Sequence, residues 1–427
     1  MSPINQLYEI FKQCNQRIFT DTRKLEAGAI FFALKGENFN GNLFAKQAIE
    51  SGASYAIVDE LIEENERFIM VDDVLTTLQK LANHHRKVLK TKIIAIGGSN
   101  GKTTTKELLN LVLSKKYKTY STVGNFNNHI GVPLTLLKLQ SDHELAIIEF
   151  GANKAGDIQE LCDIALPEFG LITNIGKEHL EGFGSIEGVA KAESELFDFL
   201  IKNNGISFVN RDDIWLENMS KRMRDFRTYT TENSEIQDLE TVPQIAFRYK
   251  GVLFESCLPG RHNLQNIMAA ICIGEYFEVT LDDMASAIHA YSPQNNRSQF
   301  IQTSHGNQIL LDAYNANPSS VEVALNTFDE MKHDTKLVVL GDMFELGKHE
   351  LEEHQYILDL CANKFNFQEV VLVGKAFARC QNTNPRIKIF ENKPDALVYF
   401  KEKRYQKLKV LLKGSRGMKM EDFKDCF

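Results

Sequence analysis

The stretch Ile93-Ile-Ala-Ile-Gly-Gly-Ser-Asn-Gly-Lys-Thr-Thr-Thr-Lys106 decides how the chain is read. An apolar strand runs straight into a glycine-rich turn and then into a helix start, which is the layout of a phosphate-binding loop. Gly97, Gly98 and Gly101 are expected to take positive φ and turn N–H groups toward an anion, and the opening of the helix adds partial positive charge. Lys102 would supply a mobile cation for β- and γ-phosphates, and the Thr103 or Thr104 hydroxyl a Mg²⁺ ligand. The usual spacing puts a Gly five residues before the Gly of Gly-Lys. Here that position is Ile96, so only the second half of the general pattern is met. The plain alternative is a β-to-α turn that binds nothing, and the order of strand, glycines, Lys and Thr speaks against it.

Outward from the loop, apolar strands alternate with helical stretches from Lys92 to about Tyr291. The strands are Lys92–Ile96, Leu145–Glu149, Gly170–Thr173 and Ile206–Val209, with helices after Thr103 and near Ile158–Cys162. Such alternation predicts a mostly parallel sheet covered by helices, with ligands at the carboxyl ends of the strands. Three of those ends then belong together: the phosphate loop, Glu149-Phe-Gly-Ala-Asn153 and Thr173-Asn-Ile-Gly-Lys-Glu-His179. A Lys with Thr, a carboxylate and an imidazole aimed at one edge make a Mg²⁺-nucleotide site the better reading than three separate structural residues.

The length of 427 residues predicts two to four domains of roughly 100 to 200 residues each. Before the loop, an amphipathic helix (Ile4, Leu7, Tyr8, Ile10, Phe11), the alternation Gly28–Gly36 and the strand Gly52–Val58 read as a small α/β unit. It is followed by a helix over Leu75–Leu89. Asp21-Thr-Arg23 in this unit reads first as a capped turn with a solvated Arg. The turn-forming run Pro293-Gln-Asn-Asn296 predicts a boundary, after which Gln308–Asp312, Lys336–Leu340, Glu369–Val373 and Leu408–Leu412 alternate with helices in Rossmann-like fashion. A G-x-G-x-x-G fingerprint is absent, so dinucleotide binding is not expected. The expected fold is therefore α/β with three domains: 1–82, a central P-loop domain 83–292 and a C-terminal Rossmann-like domain 293–427.

Hydrophobic residues at 43% and charged residues at 25% place the chain among soluble globular proteins. The net charge of -8, with no long Lys/Arg run, argues against nucleic-acid binding. Seven scattered cysteines without C-x-x-C spacing argue against a disulfide framework or a zinc site. No membrane-length apolar run is present, Met1-Ser-Pro-Ile-Asn lacks a leader pattern, and a cytoplasmic location is expected. A monomer is expected too, because no coiled-coil pattern or exposed apolar stripe stands out.

Taken together, Gly98-Ser-Asn-Gly-Lys-Thr-Thr-Thr-Lys-Glu107, Gly124-Asn-Phe-Asn-Asn-His-Ile-Gly-Val-Pro133, Glu149-Phe-Gly-Ala152, His179-Leu-Glu-Gly-Phe-Gly184, Gly260-Arg-His-Asn-Leu-Gln-Asn266, Asp312-Ala-Tyr-Asn-Ala-Asn-Pro318 and Lys413-Gly-Ser-Arg416 resemble the Mur ligases over essentially the whole chain. The Asn-Phe-Asn-Asn-His and Tyr-Asn-Ala-Asn-Pro segments resemble the members that add D-alanyl-D-alanine to UDP-N-acetylmuramoyl-tripeptide in peptidoglycan precursor synthesis. The family's loops follow the shorter Gly-x-x-Gly-Lys-Thr form, which accounts for Ile96. The resemblance implies an ATP-dependent, ADP-forming amide ligase that uses Mg²⁺ and an acyl-phosphate intermediate. By resemblance, Gly98 to Thr104 hold the phosphates, Thr103 and Glu149 one Mg²⁺, and His179 a second. Asn263 and Asn266 contact the nucleotide, and Arg297 and Asp312 reach back to ATP after domain closure. Substrate contacts are implied for Thr22, Arg23, Asn127, Asn128, Asn315, Asn317, Lys413, Ser415 and Arg416. Two other readings are a Mur-like nucleotide binder without ligase activity and a related ligase adding a single amino acid.

One departure stands out. Most of the family carries a lysine in a Lys-x-Glu-Ile/Leu segment, whose carbamate bridges the magnesium ions, and here the segment reads Glu193-Ser-Glu-Leu196. Lys191 lies two residues away, about 200° around a helix, and cannot stand in. Glu193 is expected to supply the oxygen ligand directly; the alternative is a solvated helix residue and a lost metal.

Overall fold

The computed structural model describes residues 3–24, 26–239, 244–294, 296–332, 335–403 and 405–427. Asn295, inside the expected boundary run Pro293–Asn296, lies outside the described residues. The loop-bearing strand Lys92–Gly97 sits inside a six-stranded parallel sheet, in the order Phe226–Tyr229, Ile206–Asn210, Phe169–Ile172, Lys92–Gly97, Leu145–Glu149, Thr119–Ser121. A central parallel strand is covered on both faces, so its residues are apolar throughout. Ile93 and Ala95 enter one core and Ile94 and Ile96 the other, which is the period-two division a pleated strand imposes.

The helix Lys102–Leu113 begins directly at Lys102. Its buried Leu108, Leu109, Val112 and Leu113 pack against Ile267, Ala270 and Ile271 of the helix His262–Tyr276. That second helix follows a small antiparallel sheet, Ile236–Leu239, Gln244–Tyr249 and Val252–Pro259, which the expectation of βα alternation up to Tyr291 did not include. Its hairpin turns at Lys250 and Gly251, with φ of 48° and 84°. Two successive positive φ values define the turn whose twist matches antiparallel strands.

The front of the chain forms a four-stranded parallel sheet, Ile18–Phe19, Ile30–Phe32, Tyr55–Val58 and Phe68–Met70. The expected alternating strand over Gly28–Gly36 is shorter and not alternating. Ile30–Phe32 is buried on both faces, and Lys35–Gly36 pairs instead with Phe39–Asn40. One face of this sheet packs its own cluster, with Phe19, Phe31, Ala48, Ile49 and Val58, and the other face shares the central core. Phe11, Phe32 and Ile57 share one apolar cluster with Leu78 and Leu81 of the helix Val74–Val88 and with Ile93 and Ile148 of the central sheet. Inside that helix the buried His85 joins Tyr8 Oη, 3.0 Å from Nδ1, to the Leu139 carbonyl, 3.0 Å from Nε2. Residue 82, the expected domain end, falls within this helix.

The last sheet has the order Gln299–Gln302, Gln308–Asp312, Lys409–Lys413, Lys336–Gly341, Glu369–Val373, Ile387–Phe390, and only its first strand is antiparallel. It meets the central unit mainly through polar contacts. Asn317 Nδ2 donates to Asn100 Oδ1 at 3.0 Å, and Lys177 Nζ pairs with Glu353 at 2.5 Å. The apolar exception is Leu180 of the central unit, which packs into the C-terminal core with Met343 and Leu346. No helix among the described residues is long and apolar enough to cross a membrane.

Candidate active site

At the end of the strand Lys92–Gly97 the chain turns at Gly98 (φ 110°) and Gly101 (φ 82°), the latter capping the helix Lys102–Leu113. Both glycines are also pressed by neighbours. A Cβ at Gly98 would lie 2.3 Å from Thr173 Oγ1 and 2.7 Å from its backbone nitrogen, and one at Gly101 2.5 Å from Asn266 Oδ1. The expectation for Gly97 is corrected: it has no positive φ and remains in the strand. It is glycine because a Cβ there would stand 2.6 Å from Glu193 Oε2.

The neighbouring strand end locks the loop. Thr173 Oγ1 and Asn174 Nδ2 donate to the Asn100 carbonyl at 2.7 and 2.9 Å, and Asn100 N–H donates to Asn174 Oδ1 at 3.1 Å. Such a frame fixes the direction of the loop N–H groups before any anion arrives. From the start of the helix, Thr103 Oγ1 donates to Glu149 Oε2 at 2.9 Å, while Asn127 Nδ2 donates to Glu149 Oε1 at 3.0 Å. Lys106, buried 3.9 Å from the same carboxylate, donates to the Thr122 carbonyl at 2.8 Å. Burial holds its pKa below the ordinary lysine range.

Lys102 folds back over its own loop, donating to the Gly98 and Ser99 carbonyls, with Glu178 Oε2 3.4 Å away. Burial alone would lower its pKa, but Glu178, Glu193 and Glu149 outweigh that effect and hold the ammonium above its usual value. His179 occupies a left-handed turn (φ 43°), and its Nδ1 stands 2.7 Å from Glu345 Oε2 of the C-terminal unit. Burial opposes a charge on this imidazole. The Glu345 hydrogen bond and the Glu178 charge override burial and raise its pKa, while that of Glu345 falls because of the same bond. With Nδ1–H donated to a carboxylate, Nε2 is the nitrogen left for a ligand, the usual arrangement of a metal-binding histidine.

Lys102, Thr103, Asn127, Glu149, Glu178 and His179 help to wall a cavity of about 600 Å³ between the central and C-terminal units. The C-terminal wall is equally ordered. Lys413 Nζ pairs with Asp312 Oδ2 at 2.6 Å, which holds the carboxyl below its ordinary pKa although burial alone would raise it. The Arg297 guanidinium lies 3.6 Å over the Tyr314 ring. Asn317 caps the helix Pro318–Glu330 by accepting from Ser320 N–H at 2.8 Å. Each nucleotide-site candidate except Gly98 borders this cavity, as do Asn127, Asn128, Asn315, Asn317 and Lys413.

Five expected residues stand elsewhere. Thr22 and Arg23 lie on a short 3₁₀ turn, with Arg23 87% exposed and folded onto Asp21 at 2.8 Å. Ser415 accepts from Phe344 N–H at 2.9 Å beneath the surface, and Arg416 pairs outward with Glu421 at 3.0 Å. Glu193 is buried rather than solvated, but it stands behind the loop: its Oε2 accepts from Gly98 N–H at 2.7 Å. Burial, reinforced by Glu178 and opposed by Lys102, pushes its pKa above the ordinary carboxylate range. Two acidic residues that the sequence did not single out belong to the site, Glu178 in the cavity wall and Glu345 behind His179. Glu178 sits within the segment Thr173–His179 but was overshadowed by its neighbour, and Glu345 carries no local signal because it crosses from another sheet.

Comparison with known proteins agrees with this geometry. The family profiles for the Mur ligase catalytic domain, the Mur ligase middle domain and the Mur ligase glutamate ligase domain match residues 16–86, 96–274 and 296–416. The chain is 36% identical to the UDP-N-acetylmuramoyl-tripeptide–D-alanyl-D-alanine ligase of Bacillus subtilis, over 95% of this chain and 91% of that one. The Mur ligase family is its family. This Mur ligase is also 33% identical to the Escherichia coli enzyme of the same name, over 95% of this chain and 92% of that one. Its fold matches MurF from Acinetobacter baumannii with a TM-score of 0.88 at 29% identity, over 98% and 97% of the two chains. It matches the Thermotoga maritima MurF in complex with ADP with a TM-score of 0.85 at 25% identity, over 97% of each.

Proposed function

We propose that this Mur ligase joins D-alanyl-D-alanine to UDP-N-acetylmuramoyl-tripeptide at the expense of ATP, releasing ADP and phosphate, in peptidoglycan precursor synthesis. One observation carries the reading: Lys102, Thr103, Glu149 and His179 face a single cavity that Arg297, Asp312 and Asn317 of another sheet close. A carboxylate is a poor acyl donor because its leaving group would be oxide. Transfer of the ATP γ-phosphoryl to the tripeptide carboxylate, with ADP leaving, turns that oxygen into phosphate. The dipeptide amine then attacks the acyl carbon, and phosphate departs as the amide forms. The protein has little covalent work in this scheme, so positioning dominates.

In that scheme the loop N–H groups and Lys102 cradle the phosphates, and Lys102 exchanges its loop carbonyls for the γ-phosphate. Asn263 and Asn266 fix the nucleotide side, where Asn266 Nδ2 donates to Asn263 Oδ1 at 2.8 Å. Arg297, stacked on Tyr314, and the Lys413–Asp312 pair reach ATP from the C-terminal wall. Asn127, Asn128, Asn315 and Asn317 line the side left to the peptide ends. Thr22 and Arg23 serve the UDP end on the N-terminal unit, while Ser415 and Arg416 shape the closing face from behind. The chain works as a monomer of three units, with residues 1–82, 83–292 and 293–427 contributing precursor, ATP and dipeptide binding.

The donor chemistry fits Mg²⁺. Among the described residues no three His, Cys, Asp or Glu side chains converge as a ready cluster. Mg²⁺ characteristically takes one or two carboxylates and completes its shell with phosphates and water. The Thr103–Glu149 pair and the Nε2 of His179 are the groups that would hold it, and when bound it neutralises charge developing on the transferring phosphoryl. Glu193, spent on Gly98 N–H, acts here as a brace for the loop. The reading is tested by phosphate release from ATP with UDP-N-acetylmuramoyl-tripeptide, with and without D-alanyl-D-alanine. Dipeptide-dependent release and a pentapeptide product by mass are expected; release that ignores the dipeptide would overturn it.

A further inference from the structure

Glu178 is the one carboxylate of the cavity that the scheme above leaves without work. It is 4% exposed, borders the cavity, and separates Lys177 from His179 on the turn after the strand Phe169–Ile172. Its Oε2 has only the long 3.4 Å contact to Lys102, and its buried Oε1 has no hydrogen-bond partner among the described residues. Buried carboxylate oxygens are expensive to leave unpaired, so something outside the protein's own donors is expected to satisfy this one. Four neighbouring donors are committed elsewhere: Ser99 Oγ to the Gly176 carbonyl, Asn174 Nδ2 to the Asn100 carbonyl, Lys177 Nζ to Glu353 and His179 Nδ1 to Glu345. The one cation in contact with Glu178 among the described residues is the Lys102 ammonium, which is also the group needed by an incoming phosphate.

We propose that Glu178 is a ligand for the divalent cation that enters with the nucleotide, receiving it in exchange for Lys102. The inference rests on the nucleoside-triphosphate site of the preceding reading, not on the identity of the ligase substrates. Before binding, Lys102 is shared among its loop carbonyls and Glu178 Oε2. When phosphate takes Lys102, Glu178 at the cavity wall is left without a cation, its Oε1 already unpartnered. A hard divalent ion with oxygen ligands restores the balance, and an ammonium cannot serve both partners at once. The carboxylate expected from Glu193 at this site is thereby supplied from the His179 turn, while Glu193 stays on Gly98 N–H.

The test uses the full chain, with Mn²⁺ as a spectroscopic stand-in for Mg²⁺. Mn²⁺ binding is followed by electron paramagnetic resonance with a non-hydrolysable ATP analogue, and analogue binding is measured separately in EDTA. Glu178→Gln is expected to weaken Mn²⁺ binding by about tenfold or more, or to remove one bound ion. Its analogue affinity in EDTA should stay equal or rise, because Lys102 is no longer detained. Mn²⁺ affinity within twofold of the unaltered protein, or a loss of analogue binding in EDTA equal to the Mn²⁺ loss, would overturn the proposal. Weakened Mn²⁺ binding in Glu193→Gln but not in Glu178→Gln would do so as well. Should Glu178→Gln unfold, Glu178→Asp keeps the charge and is expected to bind Mn²⁺ more weakly than Glu178 does; unchanged binding would overturn the proposal. Dipeptide-independent phosphate release by the unaltered protein would sink the ligase reading and leave the Mn²⁺ comparison standing.

Discussion

Replacing Glu345 separates domain closure from nucleotide binding. Glu345 hangs from the loop after the strand Lys336–Gly341 in a left-handed conformation (φ 66°), opposite His179, which is also left-handed. The two backbones are joined as well, with Glu181 N–H donating to the Glu345 carbonyl at 3.1 Å. Non-glycine residues held in this region cost roughly 1–3 kcal/mol each, so the surrounding contacts must fix both. The side chains are 22% and 55% exposed, which places their bond between a surface pair and a buried one, worth about 1 kcal/mol. That alone is about a fivefold shift in closure. If the proposed metal role of His179 holds, orientation of its imidazole adds to it, since loss of a supporting carboxylate behind a metal-binding histidine costs about 10- to 100-fold in metal affinity or activity. The exposure of Glu345 sets the lower end: Glu345→Ala is expected to raise the Mg²⁺ concentration for half-maximal phosphate release by about tenfold. Glu345→Gln keeps an oxygen acceptor for Nδ1–H and should fall between. Phosphate release is measured across a Mg²⁺ titration, in the natural and in the His179→Ala background. A loss that saturating Mg²⁺ does not restore, or one that is undiminished when His179 is already alanine, would refute the coupling.

Gly97→Ala places a methyl 2.6 Å from the buried Glu193 Oε2 and should destabilise the fold by about 1–3 kcal/mol in thermal unfolding. Adding Glu193→Ala should recover part of that loss, and no recovery would show that the two residues are not in conflict. Asn317→Ala removes both the helix cap and the bond to Asn100, for a cost of about 1 kcal/mol in stability and a raised KM for ATP. Unchanged KM would place the closing contact elsewhere. His262 has its pKa lowered to about 4, chiefly by burial, with Asp312 opposing and Lys413 assisting. The unfolded chain, with a histidine pKa near 6.5, therefore binds the extra proton between these values, and stability is lost as pH falls from about 6.5 to 4. Because the ring is partly exposed at the cavity wall, the loss is set at about 1–2 kcal/mol, and His262→Asn should flatten the unfolding-midpoint curve over that window.

Much of the fold was legible because parallel strands buried on both faces leave unbroken apolar runs such as Ile93–Ile96. The Lys-Gly turn at 250–251 carried the signal for the antiparallel hairpin too, but its flanking strands, with one solvent face, lack the long apolar runs that mark the others. Lys102, Thr103 and Glu149 were readable because residue type and strand end sufficed. Glu193 was readable as a departure but not in its direction. The spacing of Glu193 with Ala190, Phe197 and Leu200 puts it on the buried helical face, which decides its burial yet not that it meets Gly98. Glu178 and Glu345 needed contacts across elements, Glu345 lying 166 positions beyond His179 in sequence, and no local pattern encodes such a meeting.

The apolar cluster that runs unbroken from Phe11 through Leu81 to Ile148 limits how this protein can be recombined. A chimera taking its first 70 residues from a relative would lay a foreign surface on the helix Val74–Val88, where His85 and Arg86 are already tied to Leu139 and Ala165. Transplants of the N-terminal unit must therefore carry that helix and its central-sheet partners along. The C-terminal unit, joined largely through hydrogen bonds and ion pairs at Asn100, Lys177 and His179, offers a seam that can be cut and rejoined by matching a handful of polar side chains.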